Sequence, residues 1–130
     1  MKIWKFLKEE LKKTNSCALI TVVEKNGSGP GIVGFKMAVS SSGDMIGSIG
    51  GGVMEYNIVE LAKKKLKEEN TLPFIKKQVH DPNAGTDKSG LICSGEQTHA
   101  FVFFNTSMIS GIEEAYSILE KGGNGTLILN

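Results

Sequence analysis

Arginine is absent from this chain of 130 residues, and all 15 of its cationic side chains are lysine. Without a planar guanidinium fork, phosphate or carboxylate cannot be gripped in bidentate fashion. An anion site here has to be built from backbone N–H groups, lysine or hydroxyls. A basic excess is lacking too. Lysine is balanced by 14 acidic residues, for a formal net charge of +1, which argues against a general electrostatic hold on nucleic acid. Cysteine is scarce. Cys17 and Cys93 are too few for a disulfide framework, and the simplest reading is a cytoplasmic protein with reduced thiols. No apolar run approaches the roughly 20 residues that cross a bilayer, so no membrane association is expected. The N-terminal stretch MKIWKFLKEELKK is interrupted throughout by Lys and Glu, and it lacks a secretory apolar core. What remains is ordinary: 40% hydrophobic and 22% charged residues, the composition of one globular domain.

Apolar periodicity supplies the elements. Ile3, Leu7 and Leu11, with Trp4 beside them, predict an amphipathic first helix whose other face carries Lys5, Lys8, Glu9 and Lys12. Residues 17–23 (CALITVV) read as a strand buried on both faces. A second strand is expected over 36–40, then a hairpin turn at Ser41–Asp44 and a return over 45–49. Three glycines, Gly50 to Gly52, open a long helix with an inner stripe of Met54, Ile58, Leu61, Ala62, Lys65 and Leu66. Glu60 and Lys64 are spaced for an ion pair on its surface. The helix should fade near Asn70. Residues 74–79 form a plausible edge strand, 80–89 a polar loop, and 98–104 a strongly apolar strand. Ser110 with Glu113 predicts a capping box for a third helix, with Ile112, Ala115, Tyr116 and Leu119 inward and Gly122-Gly123 as its stop. A last strand is expected over 126–129, with an exposed edge that would invite a homo-oligomer or a partner domain. The fold class is α+β: one domain with a mixed or mainly antiparallel sheet and helices packed on it.

Three segments carry the chemistry. In GSGPG (27–31), glycines bring backbone close to a ligand, and successive N–H groups can form an anion nest. The same residues also make an ordinary connection. In GSIGGGVMEYNIVE (47–60), a strand runs through glycines into a helix N-terminus, with its unpaired N–H groups and partial positive charge. It is neither a Walker A loop nor a GxGxxG fingerprint, because Glu55 stands where the third glycine should be. Glu55 either caps an N–H or, if aimed at the site, repels phosphate. In GLICSGEQT (90–98), Cys93 lies at a turn. There it is either a small buried hydrophobe or a thiol of depressed pKa, able to act as nucleophile or soft-metal ligand. Cys17 opens a buried strand and reads as structural. His80 and His99 share no metal-ligand spacing with each other or with the cysteines, and no Ser/His/Asp elbow is present.

Taken together and in order, these segments resemble the XdhC/CoxI family of maturation factors for molybdenum hydroxylases such as xanthine dehydrogenase and carbon monoxide dehydrogenase. Ala18–Val23 is similar to the family's "ALATVV" strand. Gly27-Ser28-Gly29-Pro30 with Gly34-Phe35-Lys36-Met37 resembles "GSSPRxxGxKM". Gly47–Gly52 with Glu55 resembles "GTIGGGxxE", and Gly90–Gly95 resembles "GxxCGG". The likeness spans about residues 17 to 105. It implies a cytoplasmic chaperone that binds molybdenum cofactor (molybdopterin, in a plain or a nucleotide form) and hands it to the apo-hydroxylase, without turnover of its own. On that reading the cofactor is carried by Gly27, Ser28, Gly29, Lys36, Ser48, Gly50, Gly51, Gly52, Ser94 and Gly95. Cys93 meets the molybdenum or its sulfur as a thiolate. The sequence departs from the family where its Arg after the Pro is Gly31, where a frequent Cys is Val53, and at Ser94. Full-length members resemble a two-domain design with a Rossmann-like second half, which is expected to be absent here, so that the chain works either with a separately encoded partner subunit or as a binding module only. Two other functions fit the same residues. One is a docking module for the hydroxylase or a Rossmann-like partner that binds no cofactor. The other is a thiol-dependent sulfur-transfer protein using Cys93.

Overall fold

The spacing of Ile3, Leu7 and Leu11 winds into α1 (Lys2–Lys12) in the computed structural model, which describes residues 2–27, 31–68, 71–79 and 95–128. Five strands follow: β1 (Cys17–Asn26), β2 (Lys36–Ser40), β3 (Met45–Gly47), β4 (Phe74–Val79) and β5 (Glu96–Phe104). They form one sheet in the order β3-β2-β1-β5-β4, and every neighbouring pair is antiparallel. The helix α2 (Gly52–Leu66) lies between β3 and β4 in sequence, and α3 (Ile109–Glu120) follows β5. The α+β expectation holds.

Strand β1 is central, and its alternation builds two cores. Ala18, Ile20 and Val22 face α2 and pack with Met37, Val39, Ile49, Met54, Ile58, Val59, Ala62 and Phe101. Cys17 and Leu19 face the other way, against α1 and α3, and pack with Leu7, Leu11, Ala38, Phe104 and Ile112. A strand with helices on both faces needs apolar residues at odd and even positions alike, and residues 17–22 supply them. At the α2 side Phe74 stacks on Phe101 with centroids 4.5 Å apart, an arrangement that adds about 0.5–1.5 kcal/mol beyond area burial.

Several local expectations are corrected. The capping box of Ser110 and Glu113 does not form. Asn105 starts the chain turning earlier, its Oδ1 accepting from the Ser107 N–H at 3.0 Å, and a single 3-10 turn (Thr106–Met108) leads into α3. Glu113 instead faces Lys12 at 3.6 Å. Glu60 pairs with Lys63 at 3.7 Å, one residue nearer than Lys64. Helix α2 ends at Leu66, before Asn70. The strand expected over 126–129 is not there in its described part: residues 124–128 run irregular and exposed. The stop at Gly122-Gly123 is as expected. Gly122 takes φ 77°, and its N–H donates to Leu119 O while Gly123 N–H donates to Ile118 O. That pair of bonds is the Schellman motif.

One buried charge was not foreseen. Glu10 on α1 is 3% exposed. Its carboxylate accepts from Lys13 Nζ at 3.0 Å, Asn15 Nδ2 at 3.3 Å and Ser42 Oγ at 3.0 Å, tying the helix to the β2–β3 turn.

Candidate functional site

Gly27, Gly31, the turn at Gly50 to Gly52 and Gly95 lie toward one end of the sheet. Asn26 at the end of β1 is paired with Glu96 at the start of β5, and Glu96 with Val79 at the end of β4. The connection after β1 folds back along the strand, with Gly34 N–H on Val22 O at 2.8 Å and Val22 N–H on Phe35 O at 2.9 Å. Strand β3 ends at the same edge, and residues 48–51 lead from it into α2.

This last turn has a definite occupant. Glu55, in the first turn of α2, reaches back so that its Oε1 accepts three hydrogen bonds: from Ser48 Oγ at 2.7 Å, Ile49 N–H at 2.9 Å and Gly51 N–H at 3.2 Å. The Gly50 N–H donates to Ser48 Oγ at 3.1 Å. Glu55 stands one residue beyond the acidic position of a capping box, counted from the N-cap Gly51, and like that residue it takes up upstream N–H groups. Gly51 has φ 78° and ψ −170°, a region open in practice to glycine alone.

Beneath this turn lies Gln97, fully buried on β5. Its Oε1 accepts the Gly31 N–H at 2.8 Å, and its Nε2 donates to Ile49 O at 3.3 Å. The carboxamide thus joins the end of the 27–31 loop to the glycine turn. Its second amide hydrogen faces His99 Nε2 at 3.0 Å. An amide nitrogen only donates, so that ring nitrogen accepts and the imidazole carries its proton on Nδ1.

Of the residues singled out from sequence, Gly27, Lys36, Ser48, Gly50, Gly51, Gly52 and Gly95 are placed at this end. Lys36 Nζ donates to Gly34 O at 3.1 Å, within its own loop. Ser28, Gly29, Cys93 and Ser94 lie outside the described residues, as does His80. Cys17 is fully buried. Loss of hydration, reinforced by the Glu10 charge, pushes its thiol up to about 12, which makes it inert at neutral pH. Among the described residues no cluster of His, Cys, Asp or Glu could hold a metal ion, and no helix is long and apolar enough to cross a membrane. Sequence reasoning missed Gln97. Its signal was the inward parity it shares with His99 and Phe101 on β5, where a polar residue needs buried partners.

An antiparallel sheet with helices on both faces defines a small α+β domain. Residues 11–74, just under half of the chain, match the XdhC and CoxI family. The fold is similar to a crystal structure described as a xanthine dehydrogenase from Bacillus halodurans, with a TM-score of 0.70 and 20% identity. The likeness covers 94% of this chain and 36% of that one, so the chain spans about a third of that structure's length. No curated protein matches the chain.

Proposed function

We propose that the chain is an accessory protein in the maturation of a molybdenum hydroxylase such as xanthine dehydrogenase. In this reading it carries molybdenum cofactor at the glycine-rich end of its sheet and passes it to the apo-enzyme. The family match over residues 11–74 supports the association with such enzymes. The observation that carries the site is Gln97, which holds Gly31 and Ile49 together two residues beyond Gly95. Segments far apart in sequence thereby share one edge, and Cys93 is assigned the thiolate contact to molybdenum or its sulfur.

The described residues do not fit the phosphate of that cofactor at the glycine turn. Three of the donors a phosphate could use there, Ser48 Oγ and the N–H groups of Ile49 and Gly51, point at Glu55 Oε1, whose charge would face the phosphate. The phosphate is therefore not assigned to that turn. Glu55 also favours a second reading, a docking module for the hydroxylase or a Rossmann-like partner that holds no cofactor.

Anaerobic binding of molybdenum cofactor to the purified chain separates the two. Molybdenum is counted per protein, and the pterin is read by fluorescence after oxidation. The carrier reading expects stoichiometric binding that weakens in Cys93→Ala. Unchanged binding in that variant keeps the carrier and removes Cys93 from the site. A folded chain that binds none leaves the docking module.

A further inference from the structure

We propose that Glu55 is a specificity-determining residue: its carboxylate keeps the Ser48–Gly51 turn closed to oxyanions by charge while leaving it open to close approach. This goes beyond the carrier reading and does not rest on it.

The argument starts from donor geometry. Three donors from consecutive parts of the chain meet on a single oxygen, Glu55 Oε1, at 2.7, 2.9 and 3.2 Å. Convergence of a hydroxyl and backbone N–H groups on one oxygen is how a protein receives an anion. Here the anion is part of the chain. None of the ion pairs among the described residues includes Glu55. Lys36, at the start of the neighbouring strand β2, directs its Nζ to Gly34 O. Among the described residues the Glu55 charge is met by hydrogen bonds and by the start of α2 rather than by a cation, and a second anion arriving at the turn meets like charge.

Bulk is not what closes the turn. A β-carbon built on Gly51 would meet nothing within 4 Å, so the space beside Gly51 is open in that direction. Sterically accessible and electrostatically shut, the turn discriminates by sign. A neutral or donor-bearing group can lie against Gly51, and a phosphate cannot.

The test uses the isotopically labelled full chain titrated with inorganic phosphate at constant ionic strength, reading the amide resonances of Ile49 and Gly51. The wild-type chain is expected to show no saturable shift at either. Glu55→Ala frees all three donors, and its Ile49 and Gly51 amides should shift saturably, with phosphate binding at least tenfold tighter than in the wild type. Acetate should compete at the same two amides, because it restores the missing carboxylate. If Glu55→Ala does not fold, Glu55→Gln takes its place. The neutral side chain keeps an acceptor in the turn and yields to phosphate more readily than the wild-type carboxylate does. Saturable shifts of both amides in the wild type overturn the proposal, and so does a folded Glu55 variant that gains no affinity.

Discussion

Gln97 and Gly31 share one space. The Gly31 N–H rests on Gln97 Oε1 at 2.8 Å, and a β-carbon on Gly31 would come within 2.4 Å of Gln97 Nε2. Any side chain at position 31 displaces the carboxamide that joins the 27–31 loop to the glycine turn. The Arg that resemblance leads one to expect there is therefore incompatible with Gln97 as it stands.

Gly31→Ala should drive the Gln97 carboxamide out of its seat and forfeit its bonds to Gly31 and Ile49. Each net buried hydrogen bond contributes about 1 kcal/mol, and groups left unsatisfied cost more, so a loss of about 2–3 kcal/mol is expected. Gln97→Ala removes the obstacle as well as the bonds. The double variant should cost clearly less than the sum of the two single ones, as for residues in contact. Urea unfolding of the four chains checks this, and strict additivity would dissociate the two residues.

Gly51→Ala should destabilise although nothing crowds the site. Its φ of 78° and ψ of −170° lie where a β-carbon costs about 1–3 kcal/mol. The melting temperature should fall, and the Ile49 amide, which shares Glu55 Oε1 with Gly51, should lose protection from hydrogen exchange. An unaltered melting curve contradicts this account of the turn.

Cys17 should resist alkylation at neutral pH in the folded chain. It is buried, and its thiol is raised to about 12, so almost no thiolate exists to react. Peptide mass mapping after iodoacetamide should find Cys17 unmodified in buffer and modified in denaturant. Modification in buffer would show that the β1 start opens.

Glu10 should make the fold acid-sensitive. Burial pushes its carboxyl up, but hydrogen bonds with Ser40, Lys13 and Ser42 and the Lys13 charge outweigh it, and the net pKa lies below the ordinary 4.5. A carboxyl lowered by folding adds stability that is complete above its unfolded value and fades as pH falls through the folded one. Denaturant unfolding from pH 7 downward should therefore show stability declining below about pH 4.5. Glu10→Gln should be less stable at pH 7 and flatter across the acid range. Parallel pH profiles for the two chains would refute this role.

Much of the frame was legible where period and punctuation agreed. Residues 36–40 and 74–79 became β2 and β4 as read, because turn-forming residues bracket them. The stripe of α1 held because Leu7 and Leu11 recur at helical spacing. The stretch 126–129 failed for a reason that propensity does not contain: a strand needs a partner edge, and the described residues 126–128 meet none. Ser110 caps nothing because Asn105 turns the chain earlier, into the 3-10 turn that leads to α3 at Met108. At the candidate site, both roles open to Glu55 were visible, a cap or a charge against phosphate. That one carboxylate oxygen serves the turn this fully is a fact of geometry. Gln97 was invisible in its role, since its partners Gly31 and Ile49 lie 66 and 48 residues away.

The borders of the sheet bear on what the chain does in a crowded solution. One border is β3, only three residues long. The other is β4, whose sequence FIKKQV sets Lys76 and Lys77 side by side along the outer strand. Short outer strands and lysine-bearing ones are how natural sheets discourage further strands from zipping on. Such a chain is guarded against amyloid-like growth, and another protein is better met through its helices and turns than by extension of the ladder.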